Sequence, residues 1–252
     1  MSAAPHPGLA AVRDRIGEAC RRVGRDPGEV RLVAVTKGRT PDQVRSLLAA
    51  GQRVLAENRV QDWRALVDAL GEPPTGGAAS DATAPGDAPP EWHLIGHLQR
   101  NKVRFCRPFA LIHSLDSVRL ARALHEEGAK HDHVFRALVQ VNVAGEASKY
   151  GVASEALAAL LDEVATLEHV RVEGLMTIAP FDPDPERARP VFAALRALAD
   201  RHGLGERSMG MSGDFEVAVE EGATLVRIGS ALFEPPAAVG QALAPSAAST
   251  ST

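Results

Sequence analysis

The sequence predicts an α/β protein that forms a single (β/α)8 barrel of the TIM type with an extra N-terminal helix. Two observations carry this prediction. Short apolar runs alternate with amphipathic helical patterns along the chain, which is typical of a parallel sheet. Eight such runs occur, and eight is the number of strands that closes this kind of sheet into a barrel.

The predicted strands are short and rich in apolar or β-branched residues. They cover Arg31–Val35, Arg53–Ala56, Trp92–Ile95, Ala110–His113, Arg136–Val143, Val170–Met176, Arg207–Met211 and Thr224–Ile228. An open, doubly wound sheet is the main alternative. No glycine-rich dinucleotide loop follows the first run, which argues against that alternative.

Helices are predicted before and between these strands. A leading helix covers Leu9–Val23, and Pro41 suits the first turn of the helix after the first strand. Later helices over Ser117–Glu127 and Pro185–Arg201 carry their apolar residues on one face. The barrel domain is therefore expected over residues 9–234.

Three segments lack the bulky apolar residues that a packed core needs. Residues 71–90 and 235–252 are rich in proline, glycine, alanine and small polar residues. We therefore expect a disordered insertion at 71–90, a disordered tail at 235–252 and a disordered N-terminus at 1–8.

The composition argues against several classes of function. The formal net charge is −4 and only 4% of residues are aromatic, so nucleic-acid binding is not predicted. Cys20 and Cys106 lie far apart without a C-x-x-C motif, so neither a disulfide framework nor a zinc site is predicted. No apolar run approaches the roughly 18 residues that span a bilayer, and no signal peptide is seen, so we expect a cytoplasmic protein without membrane contact.

Polar residues and glycines follow the predicted strands, at the pole where barrel enzymes carry their active sites. The stretches G-M-S-G-D at 210–214 and R-I-G-S at 227–230 are the most informative. Each follows a late strand and opens a predicted helix, so the backbone N–H groups suit a phosphate. The alternative is that Ser212 and Ser230 are only N-caps of those helices.

Lys37 ends the apolar stretch L-V-A-V-T-K. A lysine at the end of a strand is by default a solvated residue. Inside a barrel mouth, desolvation would lower its pKa and free its amine for Schiff-base chemistry. A Schiff-base lysine and a phosphate site at one pole suit a sugar-phosphate carbonyl substrate or pyridoxal 5′-phosphate (PLP).

Longer motifs resemble one family. They are V-A-V-T-K at 33–37, G-Q-R-V-L-A-E-N-R-V-Q-D at 51–62, W-H-L-I-G-H-L-Q-R-N-K at 92–102, H-S-L-D at 113–116, V-N-V-A-G-E-A-S-K-Y-G at 141–151, G-L-M-T-I-A-P at 174–180 and S-M-G-M-S-G-D-F-E-V-A-V-E-E-G-A-T-L-V-R-I-G-S-A-L-F at 208–233. The chain is similar to the pyridoxal phosphate homeostasis protein family, whose fold resembles the N-terminal domain of alanine racemase. The resemblance spans most of residues 9–234, and ordered motifs of that length are highly specific.

The resemblance implies a set of cofactor-binding residues. Lys37 would carry PLP as an internal aldimine, Ser212, Gly229 and Ser230 would hold the phosphate, and Arg227 would lie beside the pyridine nitrogen. Further residues that the resemblance implies at or near the cofactor are Asn58, His97, Met211 and, as a second lysine that handles it, Lys149.

Arg227 argues for binding rather than catalysis in this interpretation. A protonated arginine donates to the ring nitrogen, which then stays unprotonated and makes the ring a poor electron sink. A racemase also needs a second acid or base, often a tyrosine, and the one tyrosine, Tyr150, follows the fifth predicted strand. After Phe233 we expect only the disordered tail, rather than the β domain that completes alanine racemase.

We therefore expect a monomer that binds, buffers or hands over PLP in intracellular PLP homeostasis, with PLP-dependent apoenzymes as partners, without efficient turnover and with no catalytic residues assigned. The alternatives are a weak PLP-dependent amino-acid racemase and a cofactor-free Schiff-base aldolase. No metal is expected, because the best histidine cluster, His131-Asp132-His133, lies in a helix-to-strand connection without a third ligand nearby in the sequence.

Overall fold

Eight parallel strands close into a barrel in the computed structural model, which describes residues 6–71, 89–146 and 150–233. Each strand pairs with its sequence neighbours, and β1 closes the barrel against β8. The strands are β1 Arg31–Val35, β2 Val54–Glu57, β3 Glu91–Leu94, β4 Leu111–Leu115, β5 Phe135–Gln140, β6 Val170–Met176, β7 Glu206–Ser208 and β8 Leu225–Ile228. The predicted (β/α)8 fold is confirmed.

The helices pack around the outside of this barrel. They are α1 Pro7–Arg22, α2 Pro41–Ala49, α3 Val60–Leu70, α4 Val118–Ala129, α5 Leu157–Val164, α6 Arg189–Arg201, α7 Phe215–Glu220 and α8 Ser230–Phe233, with 3₁₀ turns at Pro27–Glu29, Arg100–Phe105, Ser154–Ala156 and Pro185–Ala188. Pro41 opens α2 as predicted, behind a capping box formed by Thr40 and Gln43. The extra helix α1 packs against α7 and α8.

Some residues at the edges of the segments predicted to be disordered belong to helices or cap them. Helix α1 begins at Pro7 because the His6 side chain accepts the Leu9 N–H at 3.2 Å, so residues 7 and 8 are helical, contrary to the prediction. Gly71 closes α3 with a left-handed φ of 73°. The rest of the predicted insertion up to residue 88, the predicted tail at 235–252 and residues 1–5 lie outside the described residues.

Several strand ends differ from the prediction for local reasons. Strand β7 ends at Ser208 rather than Met211, because Gly210 has a φ of +90° and the Met211 N–H donates to the Asp214 carboxylate at 2.6 Å. Strand β4 continues to Leu115, so Ser114 lies within the strand rather than after it. Strand β5 ends at Gln140, three residues before the predicted Val143.

Two apolar cores support the barrel. The larger core lies between the sheet and the surrounding helices. A second core fills the interior of the barrel. It consists of Val33, Ala56, Leu111, Leu138, Met176 and Leu225. Because side chains alternate along a strand, His113 and Arg227, each two residues after an inward-facing leucine, also point into the barrel.

Among the helices described, none combines the length and the apolar character needed to cross a bilayer.

Candidate functional site

Lys37 lies two residues beyond the end of β1, at the carboxyl pole of the barrel. A tight turn follows, in which the Arg39 N–H donates to the Thr36 carbonyl at 2.9 Å and Gly38 has a φ of +69°. The Lys37 side chain is exposed. The expectation that burial desolvates this amine is therefore not supported, although the amine is accessible to a ligand in the barrel mouth.

The neighbouring strand β2 ends in a buried carboxyl. The Thr36 hydroxyl donates to Glu57 Oε1 at 2.6 Å, and the Asn58 N–H donates to Oε2 at 3.2 Å. Burial raises the pKa of Glu57, while Thr36, the Asn58 N–H and the charge of Lys37 oppose that rise. Glu57 thus lies close enough to Lys37 for their charges to interact, and it holds the residue just before the lysine.

On the other side of Lys37, strand β8 carries Arg227 into the barrel. Its side chain is only 4% exposed. Nη1 donates to the Ser208 hydroxyl at 2.6 Å and Nη2 to the Thr177 carbonyl at 2.9 Å. Burial lowers the pKa of Arg227 to about 10, and the charge of Asp214 partly offsets this effect. The guanidinium is therefore a cation at neutral pH, bonded to two neutral oxygens.

The turns after β7 and β8 lie side by side. The Ser212 hydroxyl oxygen lies 3.4 Å from the backbone nitrogens of Gly229 and Ala231, which donate to it. Ser212 does not cap α7, whose N-cap residue is Asp214, and Ser230 is the first residue of α8. Gly229 packs beside Val35, because a Cβ added to it would lie 3.6 Å from the Val35 Cβ. A group of N–H donors and one hydroxyl therefore adjoins the end of β1.

The predicted cofactor residues come together at this pole. Strand β1 pairs with β2 and β8, and β8 pairs with β7. The residues at the ends of these four adjacent strands are Lys37, Asn58, Met211, Ser212, Arg227, Gly229 and Ser230. Asn58 also lines a cavity of about 470 Å³ together with His97 and Lys102. Lys149 lies outside the described residues.

The rim on the β3 and β5 side is aromatic. The rings of His97 and Tyr150 stack with their centroids 4.1 Å apart, and His97 Nδ1 lies 3.2 Å from the Asp116 carboxylate. Tyr150 is 59% exposed. The tyrosine considered as a second acid or base is therefore a rim residue that packs on a histidine.

The histidine cluster at 131–133 lies elsewhere. His131 and His133 line a cavity of about 590 Å³ against Trp63 and Phe105, on the outer surface next to α3. His131 pairs with Glu127 at 3.2 Å. Within the described residues no group of three or more potential ligands could hold a metal ion.

Sequence reasoning missed four residues that complete the site. Glu57, His93, His113 and Ser208 all lie within the motifs quoted above, which assigned them no role, yet all four are buried polar residues on barrel strands. The signal available for His113 and His93 was their two-residue spacing from Leu111 and Ile95, which pack in the barrel interior, whereas Glu57 and Ser208 have no such neighbour.

Comparison with known proteins agrees with this arrangement. A family model described as alanine racemase, N-terminal domain, matches residues 8–235. The Pyridoxal phosphate homeostasis protein of Aquifex aeolicus (strain VF5) is 41% identical over 232 residues, which cover 89% of this chain and 95% of the relative. The chain belongs to the pyridoxal phosphate homeostasis protein family. The relative with the same name from Deinococcus radiodurans is 43% identical over 226 residues, which cover 89% of this chain and 99% of the relative.

Solved structures show the same architecture. PipY of Synechococcus elongatus PCC7942 was solved with PLP bound, and that structure has a TM-score of 0.71 at 32% identity, covering 88% of this chain and 100% of PipY. The alanine racemase of Corynebacterium glutamicum shares the fold, with a TM-score of 0.61 at 16% identity, and covers 92% of this chain and 63% of the racemase. The family predicted from the sequence motifs is confirmed.

Proposed function

We propose that this protein binds PLP at the carboxyl pole of the barrel and acts in intracellular PLP homeostasis without efficient catalysis. Lys37 is the covalent attachment point, and Ser212, Gly229 and Ser230 hold the phosphate. Arg227 would donate to the pyridine nitrogen. Asn58 and Met211 line the same site, and Lys149 handles the cofactor as a second lysine.

The observation that carries the proposal is the burial of the Arg227 guanidinium together with its incomplete hydrogen bonding. Its buried guanidinium uses two N–H groups on neutral oxygens, and three of its five donors remain for other partners. Asp214 is a nearby counter-charge, but both hydrogen-bond partners of the guanidinium are neutral, and burying its remaining donors is costly unless a further acceptor completes the site. A pyridine nitrogen is such an acceptor, and Lys37, with its accessible amine, follows the adjacent strand β1.

The paired turns after β7 and β8 fit a phosphate. The Gly229 and Ala231 N–H groups both donate to the one Ser212 hydroxyl at 3.4 Å, which is long for a hydrogen bond. A phosphate oxygen would offer a charged acceptor to the same donors. The hydroxyl of Ser212 could then donate to the phosphate as well.

The same residues explain why turnover is weak. PLP supplies an aldehyde that bonds to an amine and a ring that accepts electrons when its nitrogen is protonated. Arg227 can donate to that nitrogen, but it has no acceptor atom and keeps its own proton at neutral pH, because its pKa is about 10. Tyr150, the residue considered as a second acid or base, is exposed at the rim.

Absorbance and isotope exchange test the proposal. Protein incubated with PLP should develop a cofactor band, and borohydride should fix one cofactor on Lys37, as seen by peptide mass. A protein that stays colourless after reconstitution would exclude PLP binding.

Holo-protein incubated with L-alanine in deuterium oxide should exchange the α-proton of alanine no faster than free PLP does. Rapid exchange would instead indicate that the protein is a weak PLP-dependent racemase.

We further propose that the protein works as a cytoplasmic monomer and hands PLP to PLP-dependent apoenzymes. Four of the six exposed large apolar side chains in the described residues lie in the loops after β5, β6 and β7: Tyr150, Ile178, Phe181 and Met211. Apolar side chains around a ligand site suit contact with a receiving protein. Light scattering on the purified protein tests the monomer, and a transfer assay tests the partner.

A further inference from the structure

A line of hydrogen-bonded polar side chains runs through the barrel from the carboxyl pole to the amino pole, and all of them are buried except Glu91, which is partly exposed at the amino pole. At the carboxyl pole, Arg227 Nη1 donates to Ser208 Oγ at 2.6 Å. Ser208 Oγ lies 2.8 Å from His113 Nδ1, a contact that crosses the barrel from β7 to β4. His113 Nε2 lies 2.9 Å from His93 Nδ1, and His93 Nε2 lies 2.9 Å from Glu91 Oε1.

The two ends of this line carry opposite charges. Arg227 is the cationic end, at the cofactor pole. Glu91, the first residue of β3, is the anionic end, and Arg31 lies 3.8 Å from it. The hydrogen bond from His93 lowers the pKa of the Glu91 carboxyl, which keeps it ionised at neutral pH. Burial lowers the pKa values of His93 and His113, which keeps both rings neutral.

These charges give every hydrogen bond one direction. An ionised Glu91 only accepts, so His93 carries its proton on Nε2 and its Nδ1 accepts. His113 must then donate from Nε2, which leaves its Nδ1 as an acceptor for the Ser208 hydroxyl. The Ser208 oxygen in turn accepts from Arg227. All four bonds point from the cation to the anion, an arrangement in which neighbouring bonds strengthen one another.

We infer that Ser208, His113, His93 and Glu91 are positioning residues that hold the Arg227 guanidinium in a fixed orientation toward the pyridine nitrogen of the cofactor. The inference rests on the proposed function, because it takes Arg227 as the partner of the ring. It assigns one role to four residues, and one of them, Glu91, lies at the opposite end of the barrel. The orientation of the Arg227 guanidinium is thereby held by side chains that extend from it toward the amino pole.

Nitrogen-15 spectra of the apo-protein test the direction of the chain. At pH 7 both rings, His93 and His113, should have a protonated Nε2 and an unprotonated Nδ1. In Glu91→Gln the amide can donate or accept, so forms protonated at Nδ1 should appear in both rings. Glu206→Gln is the matched control, since Glu206 also pairs with Arg31 at the amino pole, at 2.9 Å, but makes no contact with either histidine. Its spectra should match those of the wild type.

Cofactor titration tests the positioning role. Ser208→Ala should bind PLP about tenfold more weakly, the size expected for losing one hydrogen bond to a charged group. Glu91→Gln should bind about threefold more weakly, while Glu206→Gln should bind like the wild type. Circular dichroism confirms that each variant is folded.

Two results would overturn the inference. One is an imidazolium or an Nδ1–H form of either histidine in the wild type at pH 7. The other is unchanged PLP affinity in both folded variants, Ser208→Ala and Glu91→Gln. Failure of the wild type to bind PLP would instead defeat the proposed function, and the nitrogen-15 spectra would still decide whether the directed chain exists.

Discussion

The Thr36 hydroxyl donates to the buried Glu57 carboxyl at 2.6 Å, across the ends of the adjacent strands β1 and β2. Thr36 is 1% exposed and Glu57 is 2% exposed, whereas the next residue after Thr36, Lys37, is exposed. The pair therefore anchors the backbone directly below the lysine. It also places an acid next to the amine that the proposed function uses.

Glu57→Gln should become more stable relative to the wild type as pH rises from acidic to neutral values. Burial raises the folded-state pKa of Glu57 above its ordinary value of 4.5, so the folded state binds the proton more tightly than the unfolded state. The stability from this group is present below about pH 4.5 and is lost as pH rises through the folded pKa. The glutamine does not titrate, so it escapes that loss.

The difference in melting temperature between Glu57→Gln and the wild type, measured from pH 4 to pH 8, should grow as pH rises. We expect the melting temperature of the variant to rise relative to that of the wild type across that range, because only the wild type loses the stability that this group provides at low pH. A constant difference at all pH values would show that Glu57 does not titrate with a raised pKa.

Lys37→Ala should abolish covalent attachment of PLP and keep some binding through the phosphate. The Ser212 hydroxyl and the Gly229 and Ala231 N–H groups are independent of the lysine side chain. Borohydride reduction followed by mass spectrometry should find no cofactor on the variant, with affinity lowered about 10- to 100-fold. Lys130→Ala is the control, because Lys130 pairs with Glu127 on α4. Undiminished attachment in Lys37→Ala would point to another lysine, with Lys149 next to test.

Gly210→Ala should destabilise the fold by about 3 kcal/mol. Gly210 has a φ of +90°, and an added Cβ would lie 2.5 Å from the Ala218 Cβ and 2.9 Å from the Phe215 Cα. Gly229→Ala is the matched control, since its Cβ would make an ordinary 3.6 Å contact with Val35. Urea unfolding should separate the two variants clearly. Equal stabilities would show that the turn after β7 can relax.

Phe181→Ser should slow the transfer of PLP to an apoenzyme without changing the affinity for PLP. Phe181 is 94% exposed in the loop after β6, among the apolar residues around the mouth. Val134→Ser is the control, because Val134 is 47% exposed but precedes β5 at the opposite pole. Recovery of activity by a PLP-dependent apoenzyme mixed with holo-protein measures the transfer. A rate about tenfold lower is expected, and an unchanged rate would argue against docking at the mouth.

Strand identity was predictable, because buried parallel strands leave continuous apolar runs in the sequence. All eight predicted runs overlap a strand of the barrel. Strand ends were less predictable, since single contacts set them. The Asp214 carboxylate, for example, turns the chain at Met211 and ends β7 early.

The sequence by itself determined the fold class and the family, because apolar periodicity and long ordered motifs are local properties of the chain. It also grouped Lys37 with the glycine–serine turns, since the carboxyl ends of parallel strands meet at one pole. Only the tertiary structure decided that Lys37 is exposed, that Glu57 is buried beside it and that Arg227 leads through Ser208 to two histidines. Burial and hydrogen bonding across a barrel depend on strands far apart in sequence, so no local pattern records them.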